Sequence, residues 1–374
     1  MKNTVIVKNI RIPIDSPIEE CYKIARGRLA LPRECVLSLS LHKRSIDARR
    51  RKASKPEFVY SVCVECELDT KRLERLKNTS DIEVVTCQPM TIERGSEPLR
   101  ARPLVVGFGP CGMFAALLLA EQGYRPIVVE RGGDISSRTR AVDEFIRTGR
   151  LNVETNIQFG AGGAGTFSDG KLVTRINDPH CSYVLERLRE FGAPDEITKL
   201  AKPHIGTDRL LGVVGNIARR ICELGGEIRF DTKLVDLYSR RGTVTDSELD
   251  GNIHSVGLES NGIRYDIEVG AVILAIGHSA RDTFDLVSRR GADMTTKPFS
   301  VGVRIEHLQS DIDDALYGEY ASMVGADNKR LLPPGEYQLS WREEQQGLRS
   351  DTARGVYSFC MCPGGEVVVA ASEE

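Results

Sequence analysis

With 374 residues, 41% hydrophobic and 28% charged, and a formal net charge of −2, the chain has a globular composition and a length suited to two or three domains. The near-neutral balance gives no general attraction to nucleic acid or an anionic membrane. No apolar run approaches the roughly 20 residues of a membrane span, and MKNTVIVKNIRIPIDSP lacks the apolar core and cleavage site of an export signal.

Residues 1–95 read as a small α+β domain. VIVKNIRIPI is a strand, and SPIEECYKIARGRL is a helix with Ser16 as N-cap, Pro17 in the first turn and Glu19 closing a capping box. VLSLSLHK alternates, with Leu37, Leu39 and Leu41 on one face and Ser38, Ser40 and His42 on the other; FVYSVCVECEL repeats the alternation. DTKRLERLKNT is a short charged helix and IEVVTC a last strand. The order β-α-β-β-α-β is the ferredoxin-like pattern. Cys63 and Cys66 form a CxxC, but residues three apart on a strand face opposite sides, so they are expected to pack, not to hold zinc. The basic cluster Arg49 to Lys52 reads as a solvated hairpin connection; the functional alternative is an RNA, phosphate or acidic-partner contact.

After a polar linker at 96–103, LVVGFGPCGMFAALLLAEQG runs from a strand through Gly107-x-Gly109-x-x-Gly112 into a helix with Gly123 at its end. Gly107 suits a tight turn, Gly109 lets backbone N–H groups approach a pyrophosphate, and Gly112 lets helix and strand pack closely. The next strand, RPIVVERGG, places Glu130 23 positions after Gly107, where an acidic side chain can accept from a ribose hydroxyl. This is a dinucleotide fingerprint, equally compatible with NAD and FAD. Cys111 within it reads as a small filler of the turn, the alternative being a redox thiol.

QFGAGGAGTFSDGKL, at 158–172, separates the two cofactors. It has six glycine or alanine residues within eight positions, followed by Ser168, Asp169, Gly170 and Lys171. Such backbone passes close to a ligand and offers N–H groups to an anion. A long cofactor such as FAD needs this second grip. GGEIRFDTKLVDLYS is a strand pair that carries Leu234, and AVILAIGHSARDTFDLV is a buried strand, then Ala275-Ile276-Gly277, then a helix, returning beside the first strand.

Taken with VVERGG, KPFSVGVRIEH and YSFCMCPGG, these motifs resemble the bacterial FAD-dependent dehydrogenase (NAD(P)/FAD-dependent oxidoreductase) family, over essentially the whole chain. The resemblance implies the two-dinucleotide-binding flavoprotein fold of the glutathione-reductase type. That is an α/β, Rossmann-like FAD-binding domain with an inserted antiparallel substrate domain, preceded by the ferredoxin-like domain. The boundaries expected are 104–200 and 201–290 for the FAD-binding domain, the second with a β-meander, and 291–374 for the substrate domain. The resemblance implies FAD contacts by Gly107, Gly109, Pro110, Gly112, Glu130, Arg131, Gly163, Ser168, Asp169, Lys171, Leu234 and Gly277. Such flavoproteins return to a C-terminal FAD segment with a GD-x-x-G-like stretch. None follows residue 300, so the chain is expected to be C-terminally truncated and to hold FAD weakly.

TTKPFSVGVRIEHL and EYQLSWREEQ look like antiparallel strands over the flavin. Cys360 and Cys362 read as packing thiols, the alternative being a dithiol beside the flavin. His278, after Gly277, has two readings: a hydrogen-bond donor to the flavin, or a cap for the following helix. The other five histidines have no metal-like spacing, and no metal is expected. With one GxGxxG there is no integral second nucleotide domain, so NAD(P)H would act as a transient reductant. Ten cysteines without an export signal point to reduced thiols in the cytoplasm. The expected function is an FAD-dependent oxidoreductase acting on a small molecule. The rivals are an NAD(P)-dependent dehydrogenase and an RNA- or protein-binding module using the basic hairpin.

Overall fold

A computed structural model describes residues 2–49, 55–85, 92, 95–167, 170–172, 174, 176, 178, 180–239, 252–325, 328–342, 354–359, 361, 363, 365, 367 and 369–373. Their contacts divide the chain into two units, each discontinuous in sequence. The first joins Met1–Pro89, Thr198–Pro203 and Val303–Val367; the second joins Met90–Ile197, His204–Gly302 and Val368–Glu374.

The first unit begins with β1 (Lys2–Pro13), α1 (Glu19–Leu29), β2 (Val36–Asp47), β3 (Glu57–Glu67), α2 (Thr70–Lys77) and β4 (Ile82–Val85). The strands form one antiparallel sheet in the order β2-β3-β1-β4. Alternation on β3 buries Phe58, Tyr60, Val62, Val64 and Cys66 against both helices and leaves Cys63 on the opposite face. The CxxC thiols therefore do not converge. On β2 the alternation slips. The register shifts between Val36 and Ser38, and the extra residue of this bulge turns Leu37 outward, 45% exposed, while Val36, Leu39 and Leu41 meet the core. Ser16 does not cap α1. Ile18 is already helical, and the first turn closes through Glu20 N to Pro17 O (3.1 Å) and Cys21 N to Ile18 O (3.0 Å), leaving the Ser16 side chain no capping role. Asp69 does cap α2, accepting from Arg72 N at 2.7 Å. Arg49 pairs with Asp47; Arg50, Arg51 and Lys52 lie outside the described residues.

Two later segments complete this unit. Residues 198–203 cover the edge of β2, with Arg44 N donating to Lys199 O (2.8 Å) and Ala201 N to Arg44 O (3.1 Å). Tyr317, Ala321 and Leu332 bury themselves in the same core as Val62 and Val64.

The second unit is built on a parallel sheet. It comprises β5 (Leu104–Val106), α3 (Pro110–Glu121), β6 (Ile127–Val129), α4 (Ile135–Thr148), α5 (His180–Glu190), α6 (Thr207–Glu223), β7 (Glu227–Arg229), β8 (Thr232–Ser239), β9 (Ile253–Ser260), β10 (Ile263–Glu268), β11 (Val272–Leu274) and α7 (Arg281–Arg289). The parallel order is β11-β5-β6-β7, and β8, β9 and β10 form a separate antiparallel meander. Strand alternation splits the core into two layers. Val105 and Val128 face the helix side with Met113, Leu117 and Ile217; Leu104, Val106, Ile127 and Val129 face the meander side with Leu234, Val256 and Leu258. Each such fully buried side chain contributes about 1.5–3 kcal/mol. The GGEIRFDTKLVDLYS pair is thus shared between two sheets, β7 in one and β8 in the other. β11, expected to be buried, is an edge strand, and Leu274 is 40% exposed.

The remaining elements, in the first unit, are α8 (Gln309–Tyr317) and a ribbon of β12 (Ser340–Arg342) with β13 (Gly355–Tyr357). The antiparallel strand expected in TTKPFSVGVRIEHL is not formed. Residues 295–308 have no ladder partner among the described residues, and Phe299, Val301 and Val303 stand fully out of any core.

Candidate functional site: a cleft between two glycine loops

The β5–α3 turn positions the centre of the site. Gly107 has φ +101°, and a Cβ there would lie 2.4 Å from Ala275 O, so a side chain is excluded both by conformation and by the β11 return. The helical ladder of α3 starts with Met113 N donating to Gly109 O (2.8 Å), which leaves the first-turn amides of Cys111 and Gly112 ahead of it. Gly123, at φ +82°, ends the helix in a Schellman arrangement, with Gly123 N to Ala120 O (2.9 Å) and Tyr124 N to Leu119 O (3.0 Å).

The second glycine loop folds back onto this turn. Gly162 N donates to Phe108 O (2.8 Å), and Gly163 presses on Gly109: a Cβ on Gly163 would lie 2.9 Å from Gly109 Cα and 3.1 Å from Pro110 Cδ. Beside the two loops opens a cleft of about 770 Å³. It is lined by Gly107, Gly109, Pro110, Glu130, Arg131, Gly163, Leu234 and Gly277 among the residues anticipated from sequence. His278 also lines it, with Ser279 Oγ 3.5 Å from its Nε2. Cys111 lines the cleft too and is exposed, so it is not the buried filler expected of the turn.

Two anticipated contacts fall elsewhere. A Cβ on Gly112 would lie 1.9 Å from Gly107 O, so this glycine serves helix–strand packing behind the cleft. Lys171 bridges to His204 outside the lining, with its Nζ buried and without a hydrogen-bond partner among the described residues. Ser168 and Asp169, like Cys360 and Cys362, lie outside the described residues.

Glu130 is buried, and its carboxylate accepts three backbone donors: Phe108 N at 2.7 Å, Gly132 N at 3.0 Å and Gly160 N at 2.9 Å. A carboxylate has about four acceptor positions, so about one is left for a ligand hydroxyl. Arg131 forks onto Asp282 at 2.9 and 2.8 Å, donates from Nε to Glu154 at 2.8 Å, and stacks 4.4 Å above the Phe159 ring. Lys233 adds a bond to Glu154 at 3.0 Å. Burial opposes ionisation of Asp282 and Glu154, yet Arg131, joined at Glu154 by Lys233, holds both below the ordinary carboxylate range.

These residues fit FAD. Two facing loops, pressed together so closely that Gly163 tolerates no Cβ, leave backbone in reach of a pyrophosphate, and a helix N-terminus supplies positive partial charge there. The volume falls within the ~300–1,000 Å³ of small-molecule and cofactor clefts. The residue that sequence reasoning missed is Arg138 on α4, wholly buried behind the second loop. Its only sequence signal is an arginine on a helix that otherwise presents Ile135 and Val142 to the interior. Among the described residues no group of three His, Cys, Asp or Glu side chains is arranged to hold a metal, and no helix is long and apolar enough to cross a membrane.

Two family models match separate segments of the chain. The family described as FAD binding domain matches residues 100–149, and the family described as FAD-dependent protein, C-terminal domain-like, matches residues 298–374. An uncharacterized protein of Clostridium beijerinckii is 44% identical over 370 residues, covering 98% of this chain and 64% of that protein. The chain thus spans less than two thirds of the curated relative it matches. Among solved structures, THI4 of Thermovibrio ammonificans is 18% identical with a TM-score of 0.35, covering 52% of this chain and 64% of its own. The flavin-dependent monooxygenase PieE, in complex with FAD and substrate, is 16% identical with a TM-score of 0.28, covering 51% and 32%. The fingerprint of β5, α3 and β6 lies within the FAD-binding match, and FAD is its cofactor.

Proposed function

We propose that the chain is the FAD-binding part of an oxidoreductase that acts on a small molecule. The observation that carries this reading is the cleft built on the facing loops at Gly109 and Gly163, inside and next to the segment matched as an FAD-binding domain. Bound FAD supplies hydride or electron transfer, with NAD(P)H as a transient reductant. The chain's own residues bind and orient. The α3 N-terminus and the second glycine loop receive the pyrophosphate, Glu130 offers its remaining acceptor position to a ribose hydroxyl, and Leu234 packs beside the adenine. Asp282 and Glu154 hold Arg131 against Phe159 at the cleft wall.

This reading treats the second unit as a Rossmann-like fold of the glutathione-reductase type and the N-terminal β-α-β-β-α-β segment as ferredoxin-like, supported by their sheet orders. The later segment at 298–374 belongs to a substrate domain, a placement supported by its match to a C-terminal domain of FAD-dependent proteins. Seven described cysteines, all free thiols, favour a reducing compartment such as the cytoplasm. The deciding experiment titrates the purified chain with FAD and follows flavin absorption and fluorescence, then adds NADH or NADPH without oxygen. Saturable FAD uptake followed by bleaching of the flavin supports the reading. A chain that takes up no FAD ends it.

A further inference from the structure

Arg138 is the largest side chain in the protein that is fully removed from water among the described residues. Its guanidinium meets no carboxylate there. It donates to main-chain carbonyls of the second glycine loop: Nε to Asn156 O (3.0 Å), one terminal nitrogen to Ala161 O (2.6 Å) and Gly160 O (3.4 Å), and the other to Ile157 O (2.8 Å). The ring of Phe167, further along the loop, lies 4.9 Å from the guanidinium carbon. Burial pushes the guanidinium down to about 10, and the Glu130 charge opposes that shift, so it remains a cation at neutral pH.

Glu130 approaches the same loop from the other side. It accepts from Gly160 N while Arg138 donates to Gly160 O. One residue of the loop therefore has a buried anion on its amide and a buried cation on its carbonyl. A lone buried guanidinium is costly, and breaking one side of a buried charge arrangement costs more than an exposed pair would. Four carbonyl oxygens within hydrogen-bond reach and the nearby carboxylate offset that cost only while residues 156–161 keep this path. The path also sets the position of Gly163, because Gly163 N donates to Gly160 O (3.0 Å) and its Cα abuts Gly109.

We infer that Glu130 and Arg138 form an ion pair relayed through the Gly160 backbone, and that Arg138 is a positioning residue which presets the second glycine loop for FAD. This rests on the FAD reading above. The loop is thereby shaped before the cofactor arrives, so little ordering cost remains at binding.

The experiment measures FAD dissociation constants by flavin fluorescence for the full chain and for Arg138→Lys, Arg138→Met, Glu130→Gln and the Glu130→Gln/Arg138→Lys double variant. Lysine keeps the charge but not the fork that reaches several carbonyls, so R138K is expected to bind about 10-fold more weakly and R138M about 100-fold. The two sites share one backbone relay, so the double variant should lose at least about fivefold less than the product of the single losses. A general loss of stability would not produce that coupling. Should R138M fail to fold, R138K and E130Q carry the test. If wild type binds FAD while R138K binds within about twofold of it, or the double loss equals the product, the relay is overturned and the FAD reading stands. If wild type takes up no FAD, the FAD reading falls and the relay with it.

Discussion

Gly163 and Gly109 touch through their backbones, with Gly109 Cα only 2.9 Å from the position a Cβ on Gly163 would take. Two glycine-rich stretches some fifty residues apart in sequence thus become two walls of one cleft.

Replacing Gly163 by alanine tests this contact. Gly163 has φ +69°, so alanine suffers backbone strain and overlap with Gly109, together costing about 2–3 kcal/mol. FAD affinity should fall at least about 10-fold because the cleft wall itself shifts. Gly277→Ala is the control: φ is +71° but no atom lies within 4 Å of the new Cβ, so only the strain of about 1 kcal/mol applies. Thermal unfolding and FAD titration of the two variants should rank them in that order.

The Arg131–Asp282–Glu154–Lys233 network predicts an acid-sensitive second unit. The folded chain holds Asp282 and Glu154 below their ordinary values, so in acid the unfolded chain binds the extra protons. Their contribution is complete above the unfolded carboxylate range near pH 4 and is lost as pH falls through the lower folded values. Asp282→Asn should remove about 1 kcal/mol or less at neutral pH, since the Asp282 side chain is half exposed. It should also flatten the fall in melting temperature between about pH 5 and pH 3. An unchanged acid profile would show that the fork contributes nothing.

Asp313 is the corresponding anchor of the first unit. It is buried on α8, and burial opposes its charge, but Gly335 N (2.6 Å), Gln309 Nε2 (2.9 Å) and Arg330 (2.7 Å) outweigh this and hold it below the carboxylate range. Asp313→Ala takes the acceptor from Gly335 N and leaves Gln309 and Arg330 only their bonds to Gly335 O and Ala321 O, and should cost about 1–3 kcal/mol; Asp313→Asn, which keeps one acceptor oxygen, should cost less. Urea unfolding checks the order.

The bulge in β2 predicts an asymmetry between neighbouring apolar strands. Leu37→Ser should change stability by less than about 0.5 kcal/mol, because the bulge already exposes that side chain. Val64→Ala, at a fully buried position on β3, should cost about 1–2 kcal/mol. Equal losses would mean that Leu37 packs inward and the register is unbroken.

The sequence by itself determined the features carried by short-range periodicity and turn chemistry. The alternation of Phe58, Tyr60, Val62 and Val64 set which face of β3 is buried. The spacing of Gly107, Gly109 and Gly112 set the strand–turn–helix, and Glu130 followed at the right distance. Tertiary structure alone decided the rest. The bulge at Leu37 depends on the pairing of β2 with β3, and the exposure of Leu274 on β11 having no neighbour beyond it among the described residues. Leu332 joins a core whose other residues lie almost entirely before position 80, a pairing no local pattern encodes. Glu130 was legible as a carboxylate, but the amides of Phe108 and Gly160 reach it only after the chain folds back. Arg138 shows the limit most plainly. An arginine in a helix reads as solvated, and only a loop that turns its carbonyls inward makes burying its charge favourable.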